Sequence, residues 1–321
     1  MNHLYIIGNG FDCHHKINSR YKDFRLWLNN NNIELLNKIE ELYADSCNAE
    51  WWSDFERSLA SKDIIQYAIN VAFQNQPDLS SEHCDSTWDL AEQAVDKEMP
   101  KVYKSIKECF HQWIIQLNPP SPNMKINIYT TDSLFLTFNY TKTLESLYNL
   151  NPKNILHIHG CIDIDENFII GHGKSRDEIE LFYEKRNLSD YNPMSNMAKA
   201  ELSRYYDEMS DYLIQPHEEA AIYTALSQMS SLKKPVEELI DKYSDFFRII
   251  RGTTHFHVYG FSLSDIDMPY MDAIVKNIGI EDTYWEFSDY NNKNREAIYQ
   301  FVETYGIRNY NIIALADILQ E

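Results

Sequence analysis

"LYIIGNGFDCHH", Leu4–His15, runs four apolar residues into Gly8-Asn9-Gly10 and then into Phe11, Asp12 and a pair of histidines. A buried strand that ends in a tight glycine turn brings its backbone up to a phosphate in many α/β proteins, although the full G-x-G-x-x-G spacing is absent here. What the other apolar runs do at their own ends decides the fold.

Leu134–Phe138, Ile155–Ile158, Phe168–Ile170 and Phe256–Tyr259 are further short apolar runs, and Thr283–Phe287 and Asn311–Ala314 share their β-branched or aromatic character. Helical periodicity fills the chain from Tyr21 to about Leu117, and again from about Asp177 to Phe247. Solitary strands separated by helices cannot be joined by tight hairpins, so the pattern predicts a parallel sheet. The expected fold is α/β, a Rossmann-like parallel sheet with large helical insertions. A single domain over 1–321 is expected, with its core at about 1–28, 126–176 and 252–321 and insertions at about 29–125 and 177–251. Pro119-Pro120-Ser121-Pro122 reads as a loop, and Lys234-Pro235 as a break in the second insertion.

With 321 residues, 44% hydrophobic and 13% aromatic, the chain can bury a full core. Its formal charge of −20 repels phosphate backbones and anionic lipid, which disfavours unaided nucleic-acid or membrane binding. The five cysteines are scattered with no C-x-x-C pair, fitting neither a disulfide framework nor a zinc ribbon. No stretch approaches the roughly 20 apolar residues of a membrane span and no basic leader precedes an apolar core, so a soluble, unprocessed, cytoplasmic chain is expected.

In a doubly wound sheet, ligands bind beyond the carboxyl ends of the strands. Those ends carry Gly8-Asn9-Gly10, Asn139-Tyr140, His159-Gly160, Gly171-His172-Gly173 and Gly260-Phe261-Ser262. Each alone is ordinary turn chemistry, but five on one sheet point to a site. Asn139 leads from a strand into a helix striped by Leu144, Leu147 and Tyr148. It either caps that helix or turns its amide, both donor and acceptor, toward a ribose or a water. His157 and His159 alternate along "ILHIHGCID" and share a face if the strand continues through both. With His172 they are candidate metal ligands, yet no carboxylate stands at a recognisable ligand spacing and the neighbouring glycines favour close backbone approach, so no metal is expected. His159, with an ordinary pKa near neutrality, suits a general base. Asp12, Asp23 and Asp265 are candidates for ribose hydroxyls or helix caps, capping being favoured for Asp265. Tyr140 reads as packing. In "WWSDFERSL" the aromatic stripe reads as core, with Glu56 an additional candidate for the site.

Taken in order, "IIGNGFD", "YKDF", "WSDFE", "FLTFNY", "ILHIHG", "IIGHG" and "VYGFSLSDID" resemble the bacterial abortive-infection AbiH family of phage-defence proteins, over most of the chain. The same landmarks are distantly similar to sirtuin-like NAD-binding domains. There a glycine turn, a D-F-R element, an Asn after a strand, a His-Gly after the next strand and a G-x-S turn surround NAD. The resemblance implies a sirtuin-like fold that takes NAD or a related nucleotide, with Asn139 and His159 in the chemistry. It implies binding by Gly8, Asn9, Gly10, Asp12, Asp23, Phe24, Arg25, Gly260 and Ser262. Asn9 and Asp12 stand where the deacetylases carry Ala and Ser, and the zinc ribbon is missing. The chain is thus similar to the zinc-free sirtuin-like domains of bacterial defence systems, which resemble NAD hydrolases.

Under that resemblance, Gly8 to Gly10 and Arg25 hold the pyrophosphate, Asn139 orients the ribose or water, and His159 accepts a proton. Cyclisation of ADP-ribose and its transfer share the first step of hydrolysis and stay open. Two other readings remain: a metal-dependent hydrolase or nuclease using His157, His159 and His172, and a non-catalytic nucleotide sensor. In the sensor reading the helical insertions bind a defence-system partner or a second copy.

Overall fold

A computed structural model describes residues 2–43, 47–77, 87–162, 168–184 and 216–318. Cys84 and the part of the second helical stretch between 185 and 215 lie outside the described residues.

Six strands form one sheet: β1 (His3–Ile7), β2 (Ser133–Thr137), β3 (Ile155–His157), β4 (His255–Tyr259), β5 (Tyr284–Ser288) and β6 (Tyr310–Ile313). Every pairing is parallel and the order is β3-β2-β1-β4-β5-β6. The fold is therefore α/β. Chain order runs outward from β1 to β3, then crosses back to β4 on the other side of β1. That reversal is the topological switch point of doubly wound sheets, beside which their ligands bind. The strand expected over Phe168–Ile170 does not form. That segment is extended but unpaired in the sheet, fixed by an Ile169 N–H donated to the His159 carbonyl at 3.1 Å and by Phe168 against Phe110 and Tyr140.

Alternation along the strands sorts the two faces. Leu4 and Ile6, Leu134 and Leu136, Phe256 and Val258, and Trp285 and Phe287 pack on one face with the helices Met268–Asn277 and Arg295–Tyr305. Tyr5 and Ile7, Phe135 and Tyr259 turn to the other, where Leu144 and Tyr148 of the helix Thr143–Tyr148 meet them.

The chain divides into two compact units: 1–24, 109–170 and 234–321, and 25–108 with 171–233. The first unit carries the sheet, and the second holds helices of both inserted stretches. Within the helical unit, the helices Asp63–Gln74 and Pro216–Ser230 from the two insertions pack together. The second insertion also ends earlier than expected, at Lys233. From Lys234 the chain rejoins the sheet unit, where Val236, Leu239 and Phe247 enter its core.

Candidate functional site

At the switch point the three glycines expected to approach a phosphate approach each other. Gly10 N–H donates to the Gly260 carbonyl at 2.8 Å, and Gly8 N–H to the Tyr259 carbonyl at 3.0 Å. A Cβ on Gly8 would stand 2.6 Å from the Gly260 oxygen, and Gly260 holds φ +63. Glycine is thus required here for backbone-to-backbone contact between the β1 and β4 turns, whatever else the turn binds.

Asn139 leaves β2 beside this contact. Its Nδ2 donates to the Gly8 carbonyl at 3.1 Å, tying β2 to the β1 turn. It does not cap the following helix, whose N-cap is Lys142. Its Oδ1 is buried and has no hydrogen-bond partner. Asp12, 1% exposed, accepts from Thr141 Oγ1 at 2.6 Å and Thr143 Oγ1 at 2.7 Å. Burial pushes its carboxyl up to about 6, against the opposing hydrogen bonds from Thr141, Thr143 and Asn139 and the nearby charge of His157.

A carboxyl whose folded pKa is raised contributes stability at pH below its ordinary 3.8 and loses it as pH climbs through about 6. Asp12 is thus expected to lower the unfolding free energy by roughly 3 kcal/mol between about pH 4 and pH 7. Denaturant unfolding of the wild type and of Asp12→Asn across that range checks this. The difference between them should carry the slope, and parallel curves would contradict it.

His157 ends β3 and His159 lies beyond it, so the two do not share a strand face. His157 Nε2 meets Glu145 Oε1 at 3.0 Å, and Nδ1 meets the Asn139 carbonyl at 3.2 Å. Burial pulls this imidazole down, but its hydrogen bonds to Cys161 and Glu145 outweigh burial and lift it to about 10. Glu145 is held below the usual carboxylate range, the His157 contact overcoming burial.

His159, 2% exposed, packs among Phe138, Tyr140 and Tyr270. Burial first, and the Lys234 ammonium second, hold it well below its ordinary value, so the ring is neutral at pH 7. Its Nε2 is buried with no hydrogen-bond partner, Asp267 Oδ1 standing off at 3.8 Å. That carboxylate is engaged instead by Lys234 at 3.3 Å. Asp267→Asn would remove a carboxylate partner from a fully buried ammonium and is expected to destabilise the protein by about 3 kcal/mol, read from urea unfolding.

The remaining candidates scatter. Asn9 and Ser262 are exposed, Asn9 bonding to Ser19. Phe24 is core, and Asp23 accepts from the Arg20 N–H at 3.2 Å. Arg25, expected beside a phosphate, belongs to the helical unit and pairs with Glu40 at 2.6 Å. Arg20, next in the chain to the Ser19 that bonds Asn9, is hydrogen-bonded to the Cys13 thiol. His172 and Glu56 also fall in the helical unit. Both His172 nitrogens are engaged, Nε2 by the Met229 carbonyl at 2.9 Å and Nδ1 by the Lys174 N–H at 3.2 Å, which removes it from the proposed three-histidine metal set. Glu56 lies in the short helix Phe55–Ser58, next to Phe55, whose ring stacks on Trp52. Asp265 caps no helix; its Oδ1 accepts from the Ile266 N–H, and Asp267 stands at the N-cap of Met268–Asn277.

A family model described as bacteriophage abortive infection AbiH matches residues 4–289. The chain belongs to the AbiH family. With that membership goes a role in abortive infection of bacteriophage. The match takes in five of the six strands, so the AbiH sequence signal spans both turns of the switch point. Neither curated proteins nor solved structures give this AbiH chain a match. Among its described residues no helix is long and apolar enough to cross a membrane.

Sequence reasoning missed the groups that surround the candidates: Thr141 and Thr143 on Asp12, Lys234 and Asp267 beside His159, and Glu145 and Cys161 around His157. Only "NYTKT", which places two hydroxyls just after Asn139, carried a signal. It also missed a cavity of about 570 Å³ lined by His3, Tyr5, His257, Tyr259 and Glu286 among others. There His3, His257, Glu286 and Tyr259 form a continuous hydrogen-bonded chain.

Proposed function

We propose that this AbiH-family chain binds NAD at the carboxyl end of its sheet and cleaves the nicotinamide glycosidic bond as its part in abortive infection. The supporting observation is a pair of buried polar atoms, Asn139 Oδ1 and His159 Nε2, both without partners and both delivered just past the ends of neighbouring parallel strands. An unsatisfied buried polar atom costs free energy unless a ligand completes it.

Cleavage of this bond needs little from a general acid, because nicotinamide leaves a cationic linkage as a neutral molecule. The transition state resembles the oxocarbenium ion of glycoside hydrolysis. What must be supplied is a fixed ribose and an acceptor for the proton of the incoming nucleophile. Asn139 Oδ1 accepts from a ribose hydroxyl or the attacking water, and neutral His159 takes the proton at Nε2. Arg20, rather than Arg25, would offset pyrophosphate charge.

Both acceptors are enclosed, so the rings around them must give way before substrate enters. Low turnover is therefore expected until a trigger acts. The test is incubation of the purified chain with NAD and resolution of the products, repeated in phage-infected cells that express it. Release of nicotinamide supports the reading, and the companion product separates hydrolysis from cyclisation or transfer. NAD left intact in both settings would end it, and binding without turnover would make the chain a sensor.

A further inference from the structure

Glu145, His157 and Cys161 each present a ligand atom, and these atoms all lie within 4.8 Å of one another. Two arrangements could account for such a cluster. In a nucleophile–base–carboxylate relay the thiol and the carboxylate occupy opposite ends of the imidazole, bridged by its two ring nitrogens. Here Nδ1 also meets the Asn139 carbonyl at 3.2 Å, and the thiol, carboxylate and imidazole ligand atoms all stand close to one another, within 4.8 Å. Convergence is the geometry of chelation. A second observation agrees: Glu145 Oε2 is buried and has no hydrogen-bond partner.

We infer that Glu145, His157 and Cys161 form a binding site for one divalent ion of the zinc class. Thiolate with imidazole selects a borderline-soft ion over magnesium or calcium, which take oxygen ligands. Three protein ligands leave a fourth position for water, the coordination of an open zinc site. The ligands come from the helix Thr143–Tyr148, from the last residue of β3 and from the turn after it. His157 and Cys161 flank His159 by two residues on each side, so the ion staples the turn that carries His159. The inference does not depend on NAD chemistry, since ion binding is read without substrate.

The experiment strips the purified full chain with chelator and titrates it with Co²⁺, whose thiolate charge-transfer absorption reports a bound cysteine. One equivalent with that absorption is expected, together with a rise in Tm on adding Zn²⁺ in place of Co²⁺. Cys161→Ser should lose the charge-transfer absorption. Glu145→Gln, which keeps the shape, should bind Co²⁺ at least about tenfold more weakly, since even loss of an outer-sphere partner costs about 10–100-fold. Circular dichroism establishes that each variant is folded; if Cys161→Ser is not, Glu145→Gln alone decides. Absence of charge-transfer absorption in the folded native chain, its survival in Cys161→Ser, or unchanged affinity in Glu145→Gln would each overturn the inference.

Discussion

Gly260→Ala is expected to unfold the sheet unit, or to destabilise it by at least about 4 kcal/mol, the range of the most damaging single substitutions. Two effects add. At φ +63 a side chain is strained, and the new Cβ would lie 2.0 Å from Phe11 N and 2.5 Å from Gly10 C. Those neighbours are backbone atoms of the β1 turn, so relief means moving β1 or β4, the two middle strands of the order. Gly306 provides the control. It holds φ +67 at the end of the helix Arg295–Tyr305, yet nothing lies within 4 Å of its would-be Cβ. Gly306→Ala should therefore cost only the conformational strain, about 1 kcal/mol. Chemical unfolding of the two variants separates contact from conformation, and equal losses would show that the clash at Gly260 is relieved at no cost.

If the proposed NAD chemistry holds, His159→Ala lowers NAD turnover by about 10²–10⁴-fold, the usual worth of a positioned base. Its ring also fills space among Phe138, Tyr140 and Tyr270, so truncation carries a packing loss of its own. His159→Gln, closer in volume but without an imidazole, keeps the two effects apart. Both variants should lose turnover, while the glutamine variant stays closer to wild type in denaturant midpoint. Turnover by either at the wild-type rate, normalised to folded protein, would remove His159 from the chemistry.

The sheet was legible because its strands are buried on both faces and read as continuous apolar runs at β1, β2 and β4. Ser133 and His255 extend β2 and β4 by one residue beyond their apolar stretches, which hydropathy alone does not reveal. Phe168–Ile170 misleads for the opposite reason. Its apolarity serves contact with Phe110 and Tyr140 rather than a ladder, and a three-residue run cannot tell the two apart. The candidate site was legible only where residues sit at strand ends. Asn139 and the glycines follow directly from topology. Arg25 and His172 did not, because their surroundings belong to the helical unit and arise from pairings distant in sequence. Lys234 and Asp267 escaped notice because a lysine and an aspartate far apart on the chain look like solvated surface until the fold buries them.

Because β1 lies between β2 and β4, it leaves the ribosome before either neighbour and waits for both, the second of which begins only at His255. At synthesis rates of about 5–20 residues per second that delay is roughly 12–50 seconds, during which an apolar segment has unpaired edges and needs shelter from aggregation. The Gly8–Gly260 contact cannot exist on a nascent chain that stops short of residue 260.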